Sequence, residues 1–193
     1  MKTWIPNALT ASRLAFLIPI MLLIHGSADA IAYRWAFGLF VLAAATDALD
    51  GWAARRLDCA SNIGTFFDPL VDKIFANILL ISLACSHPSW IPLWAVLLLL
   101  ARELAVQGFR SMTPCLGVVI GTGQMNKLKL VFQLVAAGAA LAGLAWEAAA
   151  PVLRPAAWLA LGLALATGFW SMFTLFRSNA DLWRRSPIDM EQR

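Results

Sequence analysis

Between Asp47 and Asp72 an otherwise lipid-like sequence carries four carboxylates at helical intervals, Asp47 and Asp50 three apart and Asp68 and Asp72 four apart. Residues three or four apart share a face of an α-helix, so each pair presents its oxygens together. An uncompensated Asp at the centre of a membrane helix costs about 2.5–3.5 kcal/mol on insertion scales, so four near one level call for water or a strong counter-charge. A divalent cation meets that need. Hard oxygen donors without His or Cys favour Mg2+, Mn2+ or Ca2+ over zinc or copper, and Mg2+ is commonly shared between a few carboxylates and substrate phosphates. Gly51 and Ala54 fall on the face of the first pair, Gly64 on that of the second. Small side chains there leave room for a bulky phosphorylated ligand beside the backbone.

The elements that position these residues follow from composition. Of 193 residues 61% are hydrophobic and only 13% charged, with nine Trp, and the mean hydropathy is +0.73. A soluble domain normally carries about 25% charged residues. The chain is therefore expected to be an all-α, polytopic membrane protein. At about 20 residues per span it has room for six transmembrane helices and no separate soluble domain. The apolar runs are long and lack two-residue alternation, which argues against a barrel. The helices are expected at roughly 8–25, 31–57, 63–85, 90–111, 126–147 and 156–176.

Three boundaries need comment. Arg13, an apolar run and Ala28-Asp29-Ala30 imitate a cleaved signal peptide, but Pro19 interrupts the run and more spans follow, so a first span is expected instead. His87-Pro88 stops the third helix. The stretch Thr113 to Gln124 contains G-x-x-x-G-x-G without a preceding strand, which reads as a connection sooner than a phosphate loop. The short link Asp58 to Asn62 puts the end of the second helix and the start of the third on one side of the membrane. Both acidic pairs should meet there.

With six spans, every Lys and Arg except Arg34 and Arg154 falls on one side, which should be cytoplasmic together with both termini and the acidic cluster. The net charge of +4 is thus topological, and no nucleic-acid partner is implied. Three Cys and two His stand singly, without metal-type spacing.

The string D-x2-D-G-x2-A-R-x8-G-x3-D-x3-D is complete as Asp47, Asp50, Gly51, Ala54, Arg55, Gly64, Asp68 and Asp72. It resembles the signature of the CDP-alcohol phosphatidyltransferases, and the resemblance extends over nearly the whole chain. The opening I-P-N-A-L-T-A-S-R, the A-R-E-L of the fourth helix followed by Arg110, and the pair Lys127 and Lys129 are similar to the bacterial phosphatidylglycerophosphate synthase branch. The resemblance implies transfer of a phosphatidyl group from CDP-diacylglycerol to glycerol 3-phosphate, with release of CMP, by a homodimer in a bacterial inner membrane. It implies Asp47, Asp50, Asp68 and Asp72 as ligands of Mg2+ or Mn2+ in a two-metal site, with Asp72 also the general base. It implies Gly51, Ala54 and Gly64 as room for the cytidine nucleotide, with Asp47 beside it and Arg55 holding its charge.

A dianionic acceptor needs a cationic receptor. Arg102 and Arg110 are eight apart and can share a face, whereas Lys127 and Lys129 are two apart and diverge. These four are either the phosphate receptor or positive-inside anchors, Arg102 then pairing with Glu103 or another carboxylate. Lys73 projects about 100° away from Asp72 and is expected to snorkel or pair. Two other functions stay open: a transferase of the same family using phosphatidylglycerol, inositol phosphate or serine, and a cation transporter built on intramembrane carboxylates.

Overall fold

The computed structural model describes the backbone of residues 4–26, 29–57, 62–116 and 124–180, and the side chains of 14–26, 29–46, 70–114 and 125–180. Six α-helices follow one another: α1 Trp4–Gly26, α2 Ala30–Leu57, α3 Asn62–Ser86, α4 Leu93–Met112, α5 Gln124–Ala145 and α6 Ala150–Ser178. No strand occurs among the described residues. The expected all-α, six-helix order is thus observed; α1 starts at Trp4, four residues before the expected position, and three other ends differ as well. The helix α4 starts at Leu93, because Pro92 caps it in an extended conformation after a turn in which the Trp90 amide donates to the His87 carbonyl at 2.9 Å. The helix α5 stops at Ala145, where Trp146 turns extended into the 3-10 turn Glu147–Ala149. The helix α6 then begins six residues earlier than expected: Pro151 suits its first turn, and Pro155 is carried within. Most of the glycine-containing connection after Leu116 lies outside the described residues, as does the expected link from Asp58.

The helix α5 is the central post, packing against α2, α3 and α6, while α1 leans on α2 and α3, and α4 on α3 and α6. Its contact with α6 is the most extensive, and both helices bury small residues, Ala136, Ala137 and Ala140 on α5 and Ala157, Ala160 and Ala164 on α6. Alanines let helix backbones approach closely, which gains dispersion contacts over a long seam. Larger side chains, among them Leu79, Leu80, Leu83, Leu99 and Leu141, fill the remaining core, and Phe40 of α2 stacks on Phe75 of α3 at 6.4 Å.

The outward faces are apolar too. Trp94, Leu97 and Leu104 on α4 and Val152, Leu159 and Trp170 on α6 are all exposed. By length and composition Met125–Ala145 and Glu147–Ser178 could cross a membrane, and Leu14–Gly26 and Ala30–Thr46 are shorter apolar stretches.

At the end where α3 turns into α4, the connection is pinned by four other helices. The His25 ring of α1 bridges Ser82 and Ser86 at 2.9 Å each, and Tyr33 of α2 meets His87 at 3.0 Å. Burial, with His25 close by, holds His87 below the ordinary histidine range. Trp158 of α6 donates to the Ser89 carbonyl, and Arg154 lies 5.0 Å over the Trp90 ring. That ring lies flush against α5: a Cβ placed on Gly143 would stand 2.0 Å from its Cη2. Gly143→Val is therefore expected to expel the indole and cost about 1–3 kcal/mol. Gly162→Ala, where an added Cβ meets nothing, is the control. Thermal unfolding in detergent should show a lowered midpoint for the first and none for the second; equal midpoints would contradict the packing of Trp90.

Candidate active site

The carboxylate motif straddles the junction of α2 and α3. Asp47, Asp50, Gly51, Ala54 and Arg55 occupy the last three turns of α2, and Gly64 and Asp68 the first two of α3. The side chains of these seven, and with them the expected meeting of the two acidic pairs, lie outside the described residues. Asp72, one turn further along α3, is described and half-buried. The donor set itself, carboxylate oxygen throughout, fits a hard divalent cation.

Beside Asp72 the structure shows a buried cluster of charges drawn from three helices. On α4 the buried positions Ala95, Val96, Leu99, Arg102, Glu103, Val106 and Phe109 recur at three- and four-residue intervals, so Arg102 and Glu103 occupy places in an otherwise apolar stripe. On α5 the inward positions Asn126, Lys129 and Gln133 run in phase with Ala136, Ala137 and Ala140. Lys73 of α3 approaches from the third side. The Glu103 carboxylate gathers the cations: Oε1 lies 3.1 Å from Lys73 Nζ, and Oε2 pairs with Lys129 Nζ and stands 3.7 Å from Arg102 Nη1.

Arg102 ties the cluster to the remaining helices. Its Nε donates to the Gly168 carbonyl of α6 at 2.8 Å and its Nη1 to Asn126 Oδ1 at 3.0 Å. Its Nη2 is buried with no hydrogen-bond partner among the described residues. One turn deeper Gln133 donates to Asn77 Oδ1 at 3.3 Å, which continues the polar seam between α5 and α3.

Of the four expected phosphate-binding cations, the structure brings three within reach of one another. Arg102 and Lys129 are almost fully buried, with 2% and 1% exposure, and Arg110 is half-buried two turns further along α4, where its charge bears on both Arg102 and Lys73. Lys127 is exposed on the other side of α5. The divergence of Lys127 and Lys129 is thus as the spacing implies, and Lys129 is the inward member. Sequence reasoning had no role for Asn126 or Gly168 and saw Lys73 and Glu103 only as possible pairing residues. A usable signal was present: Asn126, Lys129 and Gln133 are polar residues at intervals of three and four on an apolar helix.

Among the described residues the cluster holds four cations, Lys73, Arg102, Arg110 and Lys129, against two carboxylates, Asp72 and Glu103. Taking a charge out of water costs several kcal/mol unless it is paired and hydrogen-bonded, so three cations sharing the Glu103 carboxylate are an arrangement ready for an anion. A planar guanidinium with a spare N–H suits phosphate oxygens in particular.

Known proteins resemble this chain over most of its length. The family described as CDP-alcohol phosphatidyltransferase matches residues 3–170. A Bacillus subtilis protein named CDP-diacylglycerol–glycerol-3-phosphate 3-phosphatidyltransferase is 32% identical over 184 residues, 88% of this chain and 93% of its own length. A Yersinia pestis protein of the same name is 31% identical over 179 residues, covering 90% and 93%. A third, from Pseudomonas fluorescens, is 38% identical over 114 residues, 58% of this chain and 57% of its own.

Among the described residues Asn126 supplies the one side-chain acceptor on Arg102 besides Glu103, so Asn126→Leu should leave a second buried guanidinium N–H unpaired and cost about 1–3 kcal/mol. A lowered thermal midpoint in detergent is the expected readout, and an unchanged midpoint would mean that this bond carries no stability.

Proposed function

The chain belongs to the CDP-alcohol phosphatidyltransferase family, and from that membership we propose that it transfers the phosphatidyl group of CDP-diacylglycerol to glycerol 3-phosphate, giving phosphatidylglycerophosphate and CMP. The observation that carries the acceptor is the buried cluster beside Asp72, where Lys73, Arg102 and Lys129 share the Glu103 carboxylate and Arg102 Nη2 has no partner among the described residues. A phosphate dianion matches both the charge and the donor geometry. The names of the relatives support the same acceptor.

In this reading the acceptor's hydroxyl oxygen attacks the phosphorus that bears the diacylglycerol. The new P–O bond forms as the bond to the bridging oxygen breaks, and CMP leaves with that oxygen. Asp72 takes the hydroxyl proton; a positioned carboxylate contributes about 10^2–10^4-fold in such a step. Arg102, Lys129 and Arg110 hold the acceptor's phosphate, with the exposed Lys127 at the rim as a long-range attraction. Gly51, Ala54 and Gly64 leave room for the nucleotide and Arg55 holds its charge. Asp47, Asp50, Asp68 and Asp72 are the residues that would hold a pair of Mg2+ or Mn2+ ions, which when bound neutralise the diphosphate and the departing CMP.

The exposed apolar faces of α4 and α6 support a membrane protein whose six helices all span. The lopsided Lys and Arg distribution supports a cytoplasmic site and cytoplasmic termini in a bacterial inner membrane. The diacylglycerol chains then stay in lipid while the headgroup reacts at the rim. A homodimer belongs to the same proposal by family likeness.

Purified protein supplied with labelled CDP-diacylglycerol, Mg2+ and a panel of acceptors should release CMP with glycerol 3-phosphate, stop on chelation, and lose about 10^2–10^4-fold in Asp72→Asn with folding retained. Release with phosphatidylglycerol, serine or inositol phosphate but none with glycerol 3-phosphate would overturn the acceptor. Cation flux in liposomes without any CMP release would overturn the enzyme.

A further inference from the structure

Glu103 has no task in the reaction just described, yet it is the centre of the charge cluster. It is 7% exposed, follows Arg102 directly on α4, and divides its two oxygens between Lys73 of α3 and Lys129 of α5, with Arg102 Nη1 3.7 Å away. One carboxylate therefore faces three cations from three helices. A simple ion-pair bolt would balance charge one to one. Among the described residues the balance is incomplete, and Arg102 Nη2 is a buried donor without a partner there.

The physical consequence is a site with two levels of compensation. Without any anion, Lys73, Arg102 and Lys129 would repel one another in a surrounding of low dielectric, where like charges a few ångströms apart interact strongly. Glu103 offsets part of that repulsion and fixes where the three ammonium and guanidinium groups stand. The part it leaves, an excess of positive charge with a free N–H, is what an arriving dianion would neutralise.

We propose that Glu103 is a resident counter-anion: it holds Lys73, Arg102 and Lys129 in position while the acceptor site is empty, and it moderates the affinity of that site for a phosphate dianion. Glu103 is thus a positioning residue, acting through the cations and never touching the reacting atoms, and the role rests on the reading of the cluster as the acceptor-phosphate receptor. It also accounts for an acid lying among the cations read as an anion receptor. With the carboxylate present, phosphate binds and leaves; without it, three bare cations would grip phosphate and release the phosphate-bearing product slowly.

The test is the Glu103→Gln variant in detergent, its thermal midpoint measured alone, with glycerol 3-phosphate, with inorganic phosphate, and with glycerol as the uncharged control. Without anion the variant should unfold earlier than the parent. Both phosphate compounds should raise its midpoint by more than they raise the parent's, and glycerol should do nothing. The KM for glycerol 3-phosphate should fall on the order of tenfold while kcat falls too, since one unit charge has been removed beside the phosphate. Glu103→Asp, whose carboxylate is withdrawn by one methylene, should lie between parent and Gln in its response to phosphate, and it decides the matter if Glu103→Gln does not fold. A parent that responds to glycerol 3-phosphate, with variants that respond no more strongly and keep its KM, would overturn the role of Glu103 alone. A parent stabilised by neither phosphate compound would overturn the receptor reading and this role with it.

Discussion

Charge in an apolar bundle must be compensated where it stands, and among the described residues three cations converge on one carboxylate. Glu103 meets Lys73, Lys129 and Arg102, and Arg102 in turn reaches Asn126 and the Gly168 carbonyl. Four helices, α3 to α6, are thereby joined at one level by groups that cannot separate without exposing an unpaired charge to a medium that solvates it poorly. Lys73 is the neighbour of Asp72 in sequence, so anchoring Lys73 also sets the position of the carboxylate read as the general base. The fixed geometry of the site and the cohesion of the helices have the same origin.

The opposite end of the bundle is fastened by different physics. There the Trp90 ring fills the space that Gly143 leaves open, Arg154 lies over its face, and hydrogen bonds from Tyr33, His25 and Trp158 hold the short connection between α3 and α4. Between the two fastenings α5 and α6, which make the most extensive helix contact, bury many alanines, which allow close approach but do not by themselves choose a register. The register is supplied by the ends. Such an arrangement leaves the lipid-like outer faces free of structural duty, and this is why so many large apolar side chains can point away from the core.

How much of this was legible in the sequence differs by element. The six helices were readable because each apolar run is long and is broken by proline, glycine or charge, and the misplaced starts of α4 and α6 both involve prolines that structure uses as entry residues, Pro92 and Pro151. The carboxylate motif was readable because fixed spacing survives any packing. The inward faces were not readable: a helix apolar all round carries no moment to show which side is buried. Hence Lys127 and Lys129 could be told apart only in principle, and the structure was needed to turn Lys129 inward and leave Lys127 exposed. The partnership of Glu103 with Lys73 and Lys129 joins residues 30 and 26 positions apart, which local pattern does not reveal. The polar phase of Asn126, Lys129 and Gln133 was the one trace of it in the chain.

The central claim is that the cluster around Glu103 is where the acceptor's phosphate binds, and equilibrium binding of labelled glycerol 3-phosphate tests it without relying on turnover. Lys129→Met keeps the length of the side chain, leaves Glu103 paired with Lys73 and Arg102, and removes one buried cation. Binding to the parent, weakened on the order of tenfold or more in the variant with CDP-diacylglycerol binding retained, is the result expected when a charge-assisted contact of about 1.5–3 kcal/mol is lost. Undiminished binding of glycerol 3-phosphate to Lys129→Met would contradict it.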